Sequence, residues 1–296
     1  MLIEAIHKAL NKTTFHKELL EVMDYAVFPA GKLFRPRLVE ALALDLNHEL
    51  TQAHLHLASA IEMHHAYTLV HDDLPAMDND LMRRGKPSTH AHFGEWKAIL
   101  AGDALLIASF AELMEMDHPR AREIHKLMTW ATGAKGLIEG QFRDLAADGK
   151  VNIQNVIRIH ELKTARLIQL ATLGSYLLSG KINLRGKIEF LRLGREIGVS
   201  FQLLDDLSDL TETEVSVHEK AINPFISNGE KALNELRLSH MRLTAITFKH
   251  RLTHIEKMLQ NYFKANQDNL LRNFSIIEKN SGGDQRALRE WLTTFV

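Results

Sequence analysis

Apolar residues recur along this chain at spacings of three and four. Leu2, Ile3, Ile6 and Leu10 form one such set, and Leu184, Ile188, Leu191 and Ile197 lie in another. That spacing lines one face of an α-helix, whereas a half-buried strand alternates at every second residue. No sustained alternation occurs, and Val and Ile are scattered rather than gathered into strand-like blocks. The pattern predicts an all-α chain, a single large bundle of about ten helices joined by short loops. Turn residues punctuate it. Pro29-Ala30-Gly31 separates a first helix from a second, and Pro87-Ser88 interrupts after Arg83-Arg84-Gly85. Asp117-His118-Pro119, Asp148-Gly149-Lys150, Ser179-Gly180, Asn228-Gly229 and Ser281-Gly282-Gly283-Asp284 mark further breaks. No Gly/Ser linker or internal repeat divides the chain, so residues 1–296 read as one domain.

Composition narrows the function. Hydrophobic residues make up 45% and charged residues 25%, as in a globular protein. Lys plus Arg is 36 and Asp plus Glu is 37, without the basic excess of a nucleic-acid binder. There is no cysteine, which excludes disulfides, thiolate metal sites and cysteine nucleophiles and fits a reducing cytosol. Glu4 and His7 interrupt the N-terminal apolar residues, unlike a signal peptide. The best membrane-span candidate, 98–110, is broken by Asp103, so no span is expected.

Two acidic clusters carry the clearest chemistry. The first is His71-Asp72-Asp73-Leu74-Pro75-Ala76-Met77-Asp78, the second Phe201-Gln202-Leu203-Leu204-Asp205-Asp206-Leu207-Ser208-Asp209. Asp205 and Asp209, four apart, differ by about 40° around a helix and share a face. Asp72 and Asp78 would not share one, but Pro75 cannot continue a helix, and a loop there can bring Asp78 back. An Asp-Asp pair alone is usually a solvated helix end. These pairs are flanked by Leu69, Val70, Leu74, Leu203, Leu204 and Leu207, where carboxylates are seldom placed without a partner. Mg²⁺ takes such hard oxygen ligands, usually one or two carboxylates completed by phosphate and water. Cations accompany them at Lys32, Arg35, Arg83, Arg84 and Lys163. Each alone is an ordinary surface charge; as a set they suggest a phosphate substrate.

In order, Gly31-Lys32 with Arg35-Pro36, His65-Ala66-Tyr67, Asp72-Asp73 to Asp78 with Arg83-Arg84-Gly85, and Leu100-Ala101-Gly102-Asp103-Ala104-Leu105 lead to Gly140-Gln141 with Asp144. Lys163-Thr164 and Phe201-Gln202 with Asp205-Asp206 and Asp209 follow. Across residues 25 to 225 this order resembles the trans-prenyl diphosphate synthases, most closely bacterial-type farnesyl diphosphate synthases. The resemblance implies an isoprenoid-synthase bundle around a central cavity, acting as a cytoplasmic homodimer. It implies condensation of isopentenyl diphosphate with dimethylallyl or geranyl diphosphate to give farnesyl diphosphate. Asp72, Asp78 and Asp205 would hold three Mg²⁺ on the allylic diphosphate, supported by Asp73, Asp206 and Asp209. Arg83, Lys163 and Lys220 would bind the same diphosphate. Lys32, Arg35, His65 and Arg84 would bind isopentenyl diphosphate, and Gln141, Asp144, Thr164 and Gln202 would line the reacting centre. Tyr67 and Thr68, five and four residues before Asp72, would set product length.

The sequence departs from the family pattern at Ala30, where a glycine is usual, and in the short Leu210 to Glu219 segment, which has neither Gly nor Lys. A weaker lid over the diphosphate is the expectation there. A terpene cyclase would not need the Lys32, Arg35, His65 and Arg84 set. A non-catalytic partner subunit would typically lose carboxylates that are all present here. A geranylgeranyl or geranyl diphosphate synthase is the alternative within the same chemistry. The 17 histidines show no zinc-ligand spacing.

Overall fold

The computed structural model describes residues 1–29, 31–147, 152–180, 182–212, 222–282 and 285–294. In chain order the helices are α1 (Leu2–Asn11), α2 (Lys17–Val27), α3 (Phe34–Asn47), α4 (Gln52–Asp72), α5 (Thr89–Phe93), α6 (Glu95–Met114), α7 (Ala121–Thr132) and α8 (Leu137–Leu145). They continue as α9 (Ile153–His160), α10 (Arg166–Leu178), α11 (Leu184–Asp209), α12 (Pro224–Ser227), α13 (Gly229–His250), α14 (Thr253–Arg272), α15 (Phe274–Ser281) and α16 (Arg286–Thr294). A π-helical turn, Glu161–Ala165, joins α9 to α10. Among the described residues the β-structure is one hairpin, β1 (Met82–Arg83) with β2 (Lys86–Pro87). The fold is all-α, as the hydrophobic spacing predicts. Lys220 and most of the short segment after Asp209 lie outside the described residues.

Local chemistry sets the helix ends. The Asn152 side chain accepts the Asn155 N–H at the start of α9, and Asn223 accepts that of Phe225 at the start of α12, with Pro224 at the first helical position. Gly180 and Gly282 follow α10 and α15 at φ +78 and +70, a conformation open to glycine at little cost.

The chain divides into two compact units, Met1–Thr129 with Leu170–Lys187, and Trp130–Gln169 with Ile188–Val296. In the first unit α4 packs against α1, α3 and α6. Its buried polar groups find partners across those contacts: His56 Nδ1 lies 2.7 Å from Glu112 Oε1, and His64 Nδ1 3.1 Å from Ser109 Oγ. Gly102 of α6 lets the two helices meet, because a Cβ there would fall 2.2 Å from His71 Nε2. In the second unit α11 crosses the π-turn at Gly198, whose Cβ would lie 2.4 Å from Ala165 Cβ. The buried Glu196 carboxylate is held there by Arg195 (2.8 Å) and Ser239 (2.9 Å). No described helix is long and apolar enough to cross a membrane.

Candidate active site

In the first unit α4 ends on Asp72, and Pro75 stops it from continuing. The chain then curls back until the Asp78 N–H donates to the Asp72 carbonyl at 2.9 Å. Six residues apart in sequence, the two aspartates are thus brought together. Asp73 turns inward and is buried, and its Oδ1 accepts from Arg83 Nε at 2.9 Å and Nη2 at 2.5 Å. Arg83 Nη2 also donates to Asp80 at 2.7 Å. The β1–β2 hairpin makes this possible. Arg84 (φ +53) and Gly85 (φ +77) form its two-residue turn, the geometry that suits strand twist.

Arg84 leaves that turn toward Gly31, where a Cβ would come within 3.0 Å of its guanidinium carbon. Its Nη2 lies 4.0 Å from Glu62 of α4. Burial raises the Glu62 carboxyl pKa, opposed by Arg35 and Arg84. Burial and the same two guanidinium groups hold the His65 imidazole well below its ordinary pKa, so it stays neutral. Lys86 Nζ donates to the Tyr25 and Phe28 carbonyls at 2.5 and 2.6 Å, pinning the chain just before Gly31. Arg35 then falls in the first turn of α3, and Lys32 just before that turn, beside the positive pole of the helix, where anions bind favourably. Tyr67 is buried, edge-on to His64 (centroids 4.7 Å apart) and His71 (5.3 Å). Thr68, also buried, donates to the His65 carbonyl.

In the second unit the π-turn sets the side chains. Lys163 Nζ donates to Asp144 Oδ2 at 2.5 Å, and Thr164 Oγ1 donates to Gln202 Oε1 at 2.9 Å. Gln202 Nε2 in turn reaches Asp206 Oδ1 at 3.3 Å. Buried His160 lies 3.4 Å from Asp206 Oδ2, and burial lowers its pKa to about 4. Among the described residues neither amide atom of buried Gln141 has a hydrogen-bond partner, which marks it for a ligand or water. Asp205 is exposed and Asp209 half-buried on the α11 face that the spacing predicts.

Gly140 lets α8 approach this turn. A Cβ there would sit 2.3 Å from the Lys163 backbone nitrogen. Gly140→Ala is therefore expected to cost about 1–3 kcal/mol and to displace Lys163. Melting temperature and turnover should both fall. Gly229→Ala, whose Cβ meets nothing nearer than 3.6 Å, is the control and should change neither. Equal behaviour of the two variants would refute the close-packing account.

The family motifs point to Lys32, Arg35, His65 and Arg84 but not to Glu62 or His160. Glu62 precedes His65 by three residues, and that spacing alone places both on one helix face. Nothing local in the sequence announces His160, because its partner Asp206 lies on a different helix.

Both acidic clusters end a helix. Asp72 is the last residue of α4 with Asp73 as its cap, and Asp205, Asp206 and Asp209 occupy the end of α11, where the last turn has no Lys or Arg. The C-terminal pole of a helix carries partial negative charge, so each carboxylate there is disfavoured by about 0.3–1 kcal/mol unless a cation is near. Among the described residues no group of three or more acidic or histidine side chains could hold an ion alone. Mg²⁺ binds through one or two carboxylates and takes its remaining ligands from phosphate and water.

A helical framework of this kind is an isoprenoid synthase fold. Residues 16–230 match the family model for polyprenyl synthetase. The farnesyl diphosphate synthase of Geobacillus stearothermophilus is 34% identical over 220 residues, covering 72% of this chain and 73% of that protein. The geranylgeranyl diphosphate synthase of Cyanophora paradoxa is 37% identical, covering 71% and 73%. Among solved structures, a geranyltransferase of Helicobacter pylori complexed with magnesium and isoprenyl diphosphate matches with a TM-score of 0.74 and 27% identity, covering 89% of this chain and 96% of that one. The chain belongs to the polyprenyl synthetase family.

Proposed function

We propose that this chain is a magnesium-dependent prenyl diphosphate synthase that condenses isopentenyl diphosphate with dimethylallyl or geranyl diphosphate, giving farnesyl diphosphate. The observation that carries this reading is the gathering of carboxylates with cations: the Asp78 N–H bonds the Asp72 carbonyl at the end of α4, Arg83 pairs with Asp73, and Lys163 pairs with Asp144. Asp72, Asp78 and Asp205 are assigned to magnesium, probed as three ions, with Asp73, Asp206 and Asp209 in support. Bound there, magnesium supplies the positive charge that neutralises a departing diphosphate. Arg83 reinforces that neutralisation, held by Asp73 and Asp80. Lys163, held by Asp144, does the same. Lys220 is assigned with them on the family resemblance alone. Gln141, Asp144, Thr164 and Gln202 orient the reacting carbons. Water must be kept from the allylic cation, and the proton lost from the isopentenyl unit leaves with the diphosphate.

Lys32, Arg35 and Arg84 are assigned to isopentenyl diphosphate, with neutral His65 as a hydrogen-bond donor. Lys32→Ala and Arg35→Ala should each raise KM for isopentenyl diphosphate by roughly ten-fold or more, as expected for loss of a charge-assisted contact. KM for geranyl diphosphate should change little. Steady-state kinetics with each substrate varied in turn decides it, and equal losses for both would refute this division of cations.

We read the two units as one prenyl diphosphate synthase domain of a cytoplasmic homodimer. The unit boundary falls inside α7, α10 and α11. Trp96, Leu100, Ile107 and Met114 make an exposed apolar stripe along α6, suited to a second copy. Relatives at similar identity bear farnesyl and geranylgeranyl names, so product length is the finer part of the proposal. Incubation with isopentenyl diphosphate, dimethylallyl or geranyl diphosphate and Mg²⁺, followed by product chromatography, tests the whole. Farnesyl diphosphate is the expected product. Geranylgeranyl diphosphate would move the chain to the longer-chain type, and no condensation would make it a non-catalytic partner.

A further inference from the structure

The end of α11 is electrostatically awkward. Asp205, Asp206 and Asp209 crowd its last turns without a Lys or Arg in the final one. The chain then turns, and the Thr211 and Glu212 N–H groups donate to the Ser208 and Asp209 carbonyls that end the helix. Asn280, near the end of α15, holds this turn: Nδ2 lies 2.9 Å from the Leu210 carbonyl and 3.0 Å from that of Glu212. An asparagine amide has two hydrogens, one for each acceptor. Asn223 grips the same helix one turn earlier, donating to the Asp206 carbonyl at 2.7 Å while its own oxygen accepts the Phe225 N–H at 2.9 Å.

Asn280 has a firm base. Phe274, Ile277 and Ser281 of α15 are buried, and Leu210, the residue after α11, is fully buried. This helix lies beyond residues 16–230, so the contact comes from a part of the chain outside the family match.

We propose that Asn280 is a positioning residue for the carboxylates at the end of α11. Its two amide hydrogen bonds hold the turn that closes α11, and through the bonds from Thr211 and Glu212 to Ser208 and Asp209 they fix the last helical turn, from which Asp205 and Asp209 project. The proposal rests on the reading of those aspartates as magnesium ligands. A neutral amide suits the place because it donates to carbonyls without adding charge beside three carboxylates. Aspartate, equal in size, would offer no donor and a further negative charge.

The test uses the full chain as wild type, Asn280→Ala, Asn280→Asp and, as reference, Asp205→Asn. Each is titrated with Mg²⁺ in the presence of inorganic diphosphate and followed by the rise in melting temperature, and the Mg²⁺ dependence of turnover is measured alongside. Asn280→Ala should raise the Mg²⁺ midpoint roughly ten-fold, the scale for losing a group that orients a metal ligand. Asn280→Asp should raise it further. KM for isopentenyl diphosphate should stay at the wild-type value in both. A lowered melting temperature with an unchanged Mg²⁺ midpoint in both variants would make Asn280 a purely structural cap and overturn the proposal. If only Asp205→Asn loses the Mg²⁺ response, the metal assignment stands and the role of Asn280 falls. If Asp205→Asn keeps the full response, the metal assignment fails and takes this proposal with it.

Discussion

Asp72→Asn and Asp205→Asn should each leave a folded helical protein whose turnover at saturating Mg²⁺ is lower by roughly a hundred-fold or more. Each substitution acts separately on stability and on rate. On stability, the carboxylates sit at the negative poles of α4 and α11, and Asp205 is exposed and adjoins buried Asp206. Asparagine keeps the size of the side chain, so stability should change by no more than about 1 kcal/mol in either direction. On rate, asparagine keeps the shape and one oxygen but loses the charge that holds a divalent cation against a diphosphate. A residue whose removal spares the fold and harms the reaction is best explained by function. Melting temperature measured in EDTA, beside turnover in excess Mg²⁺, separates the two effects. Wild-type turnover in both variants would refute the metal assignment.

Much of this framework is legible in the sequence because its causes are local. Helical spacing gives an all-α fold, and Pro75 predicts that α4 stops and that Asp78 can return to Asp72. The Asp78 N–H indeed bonds the Asp72 carbonyl. What the sequence hides depends on contacts between distant segments. The π-turn at Glu161–Ala165 has no compositional mark. Gly140 and Gly198 let α8 and α11 pack closely against it, a contact between distant segments. The hairpin that carries Arg83 and Arg84 is too short for any alternation to announce it. Its cause is instead the left-handed backbone of Arg84 followed by Gly85. Asp73 reads as one more carboxylate beside Asp72, yet one residue of rotation buries it against Arg83. Adjacent aspartates on a helix point about 100° apart, so an Asp-Asp pair readily divides between solvent and core.

Tyr67→Ala should shift the product from farnesyl toward geranylgeranyl and longer diphosphates, and lower stability as well. On this reading the growing tail runs from Asp72 back along α4. Tyr67 lies five residues earlier, about 7.5 Å along the axis. Burying each further CH₂ gains about 0.8 kcal/mol, so elongation continues until something solid blocks it. The ring is well held for that role. It is buried between the edges of His64 and His71 and packs in the core cluster with Met63, Ala101 and Leu105. The same packing makes its removal costly: deleting a buried aromatic ring typically costs about 3–5 kcal/mol, a large share of an ordinary domain's stability. Loss of activity through unfolding must therefore be separated from a change of product. Tyr67→Phe keeps the ring and should keep the farnesyl product with little loss of stability, and Tyr67→Leu fills part of the space and should give an intermediate outcome. Product length for all three variants, measured at a temperature where circular dichroism shows each folded, is the deciding experiment. If folded Tyr67→Ala still stops at farnesyl diphosphate, the ring is core packing only and the stop lies elsewhere.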